Sequence, residues 1–282
     1  MLIHKINTEK ANVKYDRFRE IISDPHNILI ERVPNAGYVA NNCVILHNGN
    51  IVSLDSYYGR FSDILILNRG VHEPLEEYCF QQVLKIMPAA PTMLELGAYW
   101  AHYSMWLMRV RREAKCFILE PDDHHMDVGK LNILMNNYRA THISGLIGKN
   151  HLNVDKIMSD NNIDYIDILH SDIQGYEIDM LEEAKIAFEN SKIGYAFIST
   201  HSQELHDDVL SIITNHNYNI IVSSDFLTHT TSYDGFVLAS SNKVPKIFRQ
   251  GWTPIGRVDI VNSTPLMIQE YIAHTIKYNQ EN

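Results

Sequence analysis

The chain has 282 residues, 45% of them hydrophobic and 21% charged, and no apolar run long enough to span a bilayer is visible in it. The net charge of −10, from 24 basic against 34 acidic residues, disfavours nucleic acid as the main partner, because it repels a phosphate backbone. Three scattered cysteines (Cys43, Cys79 and Cys116) argue against a disulfide framework or a cysteine zinc site. A reducing, cytoplasmic setting is therefore expected, and the N-terminus lacks the apolar core of a signal peptide.

Residues 1–35 read as a helix followed by an irregular link, with YDRFREII carrying apolar positions at helical spacing. Two β-rich runs flank His47-Asn48-Gly49-Asn50, and Asn-Gly predicts a hairpin. DILIL at 63–67 is expected to add a strand. Together, residues 1–69 form an N-terminal extension of helix and hairpin ahead of the main domain at 70–245; a C-terminal loop and helix take 246–282.

EPLEEYCFQQVLKIM predicts a helix with Pro74 in its first turn, and its early acids Glu73, Glu76 and Glu77 fit the positive end of the helix dipole. From residue 92 the chain alternates strand and helix. Seven strands are expected at 92–97, 114–120, 140–147, 165–172, 194–200, 218–224 and 234–240, the last two forming an antiparallel pair at one edge. This pattern predicts an α/β fold with a mostly parallel sheet covered on both faces. Ligands of such sheets bind at the carboxyl ends of the strands. There lie Glu95–Ser104, Glu120–Asp123, His170–Glu177, Thr200–His206 and Asp225–Tyr233.

The first crossover reads LELGAYWAHYS, with Gly97 as its single glycine. Gly97 permits a tight turn, the next helix offers N–H donors, and Glu120 closes the second strand where an acid commonly bonds a ribose diol. A pyrophosphate needs close backbone approach and hence several glycines. S-adenosylmethionine (SAM) has no phosphate, so the missing glycines favour it over NAD.

LELGAYWAHYS, FILEPD and IDILHSDIQGYEIDML resemble, in order and spacing, three blocks of the FkbM family of SAM-dependent methyltransferases, over about residues 70–240. Against the family pattern Glu95 stands for Asp, Tyr99 for Asn, Ala101 for Gly, His170 for Lys and Gln174 for Glu. The resemblance implies a Rossmann-like methyltransferase sheet whose last strand is antiparallel. It implies that Gly97, Ala98 and Tyr99 line the methionine portion through backbone groups, with Glu95 and Ser104 nearby. Glu120 would then hold the ribose, and Pro121 and Asp122 would border the adenine. Glu73 and His72 form a candidate lid.

Methyl transfer to a hydroxyl needs a base or a metal. Asp172, His201 and His170 are the candidate catalytic residues, with His170 and Asp172 on one face of their strand. Asp172 and His201 are also candidate ligands for Mg²⁺ or Mn²⁺. His206 belongs to the same segment as His201. Asp225, His229 and Tyr233 could contact the acceptor, and Tyr57, Tyr58 and Phe61 could stack on a sugar. No N-P-P-Y tetrapeptide follows the fourth strand and no cysteine follows proline, so nucleic-acid methylation is disfavoured. A carbohydrate or small-molecule hydroxyl is the expected acceptor. The alternatives are a NAD-linked or nucleotide-sugar oxidoreductase and a non-catalytic binding module. The C-terminal segment, with Thr264 as N-cap and an apolar face of Leu266, Ile268, Tyr271, Ile272 and Ile276, is expected to dock on the domain or to make a homo-oligomer.

Overall fold

The computed structural model describes residues 9–57, 59–248 and 252–280. Helix α1 (Glu9–Ser23) leads through a 3-10 turn capped by Asp24 into a small antiparallel sheet of β1 (Val39–Ala40), β2 (Cys43–Ile45) and β3 (Ile51–Ser53). Between β2 and β3 the Asn48-Gly49 turn forms as expected, with Gly49 at φ +84°. DILIL does not add a strand. It forms helix α2 (Asp63–Leu67), in which Ile64 and Leu65 are buried while Ile66 and Leu67 are exposed. Adjacent pairs on one side are a helical pattern, whereas a strand alternates its faces residue by residue.

Helix α3 (Pro74–Ile86) begins at the expected proline and is buried at every position from Pro74 to Leu84. A helix enclosed on all sides is a core element. Glu76 and Glu77 are therefore not solvated acids at a helix start; they are 5% and 0% exposed.

The main sheet then follows: β4 (Thr92–Leu96), α4 (His102–Val110), β5 (Lys115–Glu120), α5 (Asp123–Met135), β6 (Thr141–Ser144), α6 (Val154–Asp160), β7 (Ile166–Ser171), α7 (Glu177–Glu183), α8 (Lys185–Glu189), β8 (Ile193–Thr200), α9 (Gln203–Asn215), β9 (Asn219–Ser224) and β10 (Gly235–Ser240). Its seven strands lie in the order β6-β5-β4-β7-β8-β10-β9, and β10 runs antiparallel to both its neighbours. Strand alternation sorts the side chains into two apolar layers. On β4, Met93 joins a layer with α3 and α4, while Leu94 and Leu96 join one with α6 to α9. The N-terminal extension (Phe18, Val44, Leu46, Val52) and the C-terminal Phe248 and Trp252 belong to the first layer. Each fully buried large side chain, such as Phe80 or Phe197, contributes about 1.5–3 kcal/mol.

Helices α10 (Arg257–Asn262) and α11 (Pro265–Gln280) end the described chain. Thr264 Oγ1 accepts the Met267 N–H at 3.3 Å, as an N-cap should. Tyr271 docks inward, its hydroxyl 2.8 Å from His26 Nε2, while Leu266 and Met267 stay exposed. Among the described residues no helix is long and apolar enough to cross a membrane.

Candidate functional site

Where β4 ends, Gly97 has φ +70°, and a Cβ there would lie 1.8 Å from the Asp172 carbonyl oxygen. The neighbouring strand end, β7, thus dictates the glycine. Beyond it, Tyr99 (φ +40°) and Ala101 (φ +61°) also occupy left-handed backbone. Such a conformation costs about 1–2 kcal/mol for an L residue, and the surroundings hold it in place. Tyr99 N–H donates to Glu120 Oε2 at 3.0 Å, and the Trp100 carbonyl accepts from Asn132 Nδ2 at 3.1 Å. Helix α5 approaches at Gly129, where a Cβ would stand 2.6 Å from the Tyr99 carbonyl oxygen. The close approach that a glycine-rich loop would permit is supplied from the facing helix.

The loop amides are already engaged. Gly97 and Ala98 N–H both donate to the Leu119 carbonyl, at 2.9 and 3.1 Å. The Ala98 carbonyl in turn accepts the Ala101 N–H at 2.6 Å, so Gly97 to Tyr99 offer a ligand no array of N–H donors. Glu95 is 2% exposed, and its Oε2 accepts the Ser104 N–H at 3.0 Å; burial raises its pKa. The Ser104 hydroxyl is buried without a hydrogen-bond partner. Glu120 Oε1 accepts the Asp122 N–H at 3.0 Å, and the rings of Tyr99 and His125, 4.1 Å apart, stand beside that carboxylate. Asp122 caps α5 through the His125 N–H at 2.9 Å, and Pro121 is exposed.

A cavity of about 760 Å³ opens over the carboxyl ends of β4 and β7, within the range of cofactor and ligand sites. It brings together Glu73, Glu95, Gly97, Ala98, Tyr99, His170 and Asp172 from the sequence reading; Ser104, Glu120, Pro121, Asp122 and His201 lie outside its lining. Tyr57, Phe61 and Tyr233 supply aromatic walls, and Arg17 a cation whose Nη2 donates to Tyr57 Oη at 2.7 Å. Tyr58 lies outside the described residues. Four lining residues to which the sequence reading gave no role, Trp100, His102, Tyr103 and Asp234, belong to segments it had singled out.

His201 reaches the cavity through Asp172. Its Nε2 is 3.1 Å from Asp172 Oδ1 and 3.6 Å from Asp234 Oδ1, and its Nδ1 is 2.9 Å from Glu177 Oε1. Burial alone would lower its pKa; the bonds to Asp172 and Glu177 and the nearby negative charges outweigh that and raise it to about 10. His201 is thus a cation at neutral pH and has no lone pair for an acceptor's proton. Asp172 resists burial through His201 and Gln174, and its pKa falls below the ordinary value. Burial, with Asp172 close by, raises Asp234 to about 7. Burial likewise raises Glu73 to about 7, while His72 opposes the rise.

His170 is 5% exposed, its Nε2 2.7 Å from Glu76 Oε1 and its ring packed on Tyr103. Burial lowers the His170 pKa and raises Glu76 to about 8, so neither is charged by default. His206 lies apart, clamped between Thr200 and Ser223. Asp225 is occupied by its own loop, accepting the Thr228 and His229 N–H groups. Among the described residues, the trio of possible metal ligands within 4.8 Å of one another is His47, Glu77 and His102, not a set containing Asp172 and His201.

Comparison with known structures finds the O-methyltransferase from Bacillus cereus in complex with SAH at TM-score 0.44 and 17% identity, covering 61% of this chain and 82% of that one. M. capricolum TrmK in complex with S-adenosyl-homocysteine gives TM-score 0.42 and 15% identity, covering 71% and 83%. Precorrin-6y C5,15-methyltransferase from Geobacter metallireducens GS-15 gives 0.44 and 11%, covering 58% and 85%. No curated protein matches the sequence. The model of the methyltransferase FkbM domain matches residues 23–220, starting well before the first of the three motif blocks and taking in the small N-terminal sheet. With more than half its length so matched, the chain belongs to the FkbM family of SAM-dependent methyltransferases.

Proposed function

We propose that this enzyme transfers the methyl group of SAM to a hydroxyl of a sugar or a sugar-containing molecule, in a cytoplasmic setting that suits its three free cysteines. The observation that carries the reading is the cavity's composition: a cofactor loop on one side, and carboxylates beneath aromatic rings on the other. Aromatic faces stack on the apolar side of a pyranose, and carboxylates accept its hydroxyl protons.

SAM supplies an electrophilic methyl on a sulfonium. The site fits such a group: Glu95, at the cavity wall, suits its ammonium, and Glu120, behind the Tyr99–His125 pair, is the acid that would hold its ribose. Asp172, held ionised by His201, orients the acceptor hydroxyl. Asp234, titrating near neutrality, takes the proton, since a base works best with a pKa close to the working pH. His201 keeps the two carboxylates in register, and His170 with Glu76 supports the floor. This division of labour replaces His201 as base and needs no metal at Asp172; an ion bound there would have to displace the proton that His201 holds.

Calorimetric titration with SAH and NAD, followed by transfer of labelled methyl from SAM to a panel of mono- and oligosaccharides, tests the reading. Binding of SAH without NAD and label in an acid- and base-stable ether are expected. Label recovered only in amines or carboxyl esters removes the hydroxyl acceptor.

A further inference from the structure

At the floor of the cavity, to whose lining His102 contributes, three elements converge away from His201. His47 comes from the β2–β3 turn, Glu77 from the first turn of α3, and His102 is the first residue of α4. They are 0%, 0% and 1% exposed. His47 Nε2 pairs with Glu77 Oε2 at 2.9 Å and His72 Nδ1 with Glu77 Oε1 at 2.7 Å, whereas neither ring nitrogen of the adjoining His102 has a hydrogen-bond partner. Buried polar atoms are nearly always satisfied, so a histidine orphaned at both nitrogens beside a buried His–Glu pair asks for a missing partner.

We propose that His47, Glu77 and His102 bind a divalent transition-metal ion, Zn²⁺ by the chemistry of the donors, which ties the N-terminal sheet to α3 and α4. Two imidazoles and one carboxylate form a known ligand set for such ions. Tetrahedral ligands about 2.1 Å from a common centre lie about 3.4 Å apart, and the 2.9 Å separation is about half an ångström short of that. The widest separation in the trio is at most 4.8 Å, so closing on one ion asks for a shift of no more than about 0.7 Å from each of two ligands, within reach of side-chain rotation.

The surroundings aim the donors. His47 Nδ1 lies 3.4 Å from the Glu31 carbonyl, and donation there leaves Nε2 as the free lone pair. Glu77 Oε1 accepts the backbone N–H groups of His72 and Glu73, at 2.8 and 3.1 Å, which leaves Oε2 for the ion. The His102 ring is stacked on Trp100, and Trp106 covers His47 with ring centroids 4.3 Å apart. These are the outer contacts that fix the orientation of a metal site's ligands.

The experiment uses the full chain carrying no polyhistidine tag, with metal content read by mass spectrometry as purified. The ion is then removed with a chelator, and the protein is titrated with Co²⁺ and afterwards with Zn²⁺. About one equivalent per chain is expected. Co²⁺ should give visible ligand-field absorption that Zn²⁺ abolishes, and Zn²⁺ should raise the melting temperature. The absorption should vanish in Glu77→Gln and His102→Gln and persist in His206→Gln. Folded wild-type chain that takes up no stoichiometric Co²⁺ overturns the proposal, whether or not the variants fold. So does absorption that survives in a folded His102→Gln variant.

Discussion

Two clusters of histidine and carboxylate stand in this molecule, one beside the cavity and one beneath it, and they solve the same electrostatic problem differently. Around His201 both ring nitrogens face carboxylate oxygens, and one proton satisfies the group while the side chain stays 15% exposed. Around Glu77 the side chains are almost fully buried, His47 and His72 each meet one carboxylate oxygen, and the adjoining His102 has no partner for either ring nitrogen. A cluster complete in protons is suited to holding and moving protons. A cluster that protons leave incomplete is suited to something that binds and stays.

The comparison can be broken by removing one acid from each. Asp172→Asn is expected to lower turnover by about 10²–10⁴-fold while SAH affinity stays within a few fold, measured by initial rates and calorimetry. Equal losses of both would move Asp172 from the chemistry to the cofactor. Glu77→Gln is expected to lower stability by roughly 3 kcal/mol, in the range for breaking a buried ionic contact, as read by denaturant unfolding. A variant as stable as the wild type would show that the Glu77 cluster does not depend on that charge.

pH sharpens the contrast further. Asp234 and Glu73 titrate near 7, so kcat/KM should rise as pH climbs through 7, when these carboxyls ionise, and then level off. In Asp234→Asn the rising limb should flatten at a reduced rate; an unchanged limb would assign the proton to Glu73. The smallest effect concerns His201. Its folded pKa of about 10 lies above the ordinary 6.5, so the stability it lends is complete below 6.5 and is lost as pH rises through 10. Between pH 7 and pH 10 the wild type should therefore lose more melting temperature than His201→Gln, and parallel curves would dissolve the ion pair.

The sheet was legible because each strand and crossover helix announces itself locally, by a short apolar run and then a helical period. That Gly97 and Asp172 would stand at the cavity was legible for a related reason, since strand ends are where a parallel sheet keeps its ligand groups; Glu120, chosen by the same rule, lies outside the lining because its oxygens accept the Tyr99 and Asp122 N–H groups. DILIL misled because a continuous apolar run carries no period. Glu76 and Glu77 misled because a helix dipole accounts for acids in a first turn; only packing on every side of α3 turns them into core groups. His47 looked like a turn residue, and its neighbours Glu77 and His102 lie far along the chain. Gly129, which makes room for Tyr99 and Ala101, sits on a helix that the loop itself does not announce.

The reversed direction of β10 has a consequence for addresses in the molecule. In a parallel strand the residue that reaches the ligand side is the one that follows the strand; in β10 it is the one that precedes it. Asp234 stands immediately before β10 and so faces the same opening as Asp172, immediately after β7. A single inverted strand thereby recruits a distant stretch of chain to the site. That stretch can lengthen or change sequence between its two strands without disturbing the cofactor loop, which makes it the natural place for acceptor preference to diverge while the methyl donor stays the same.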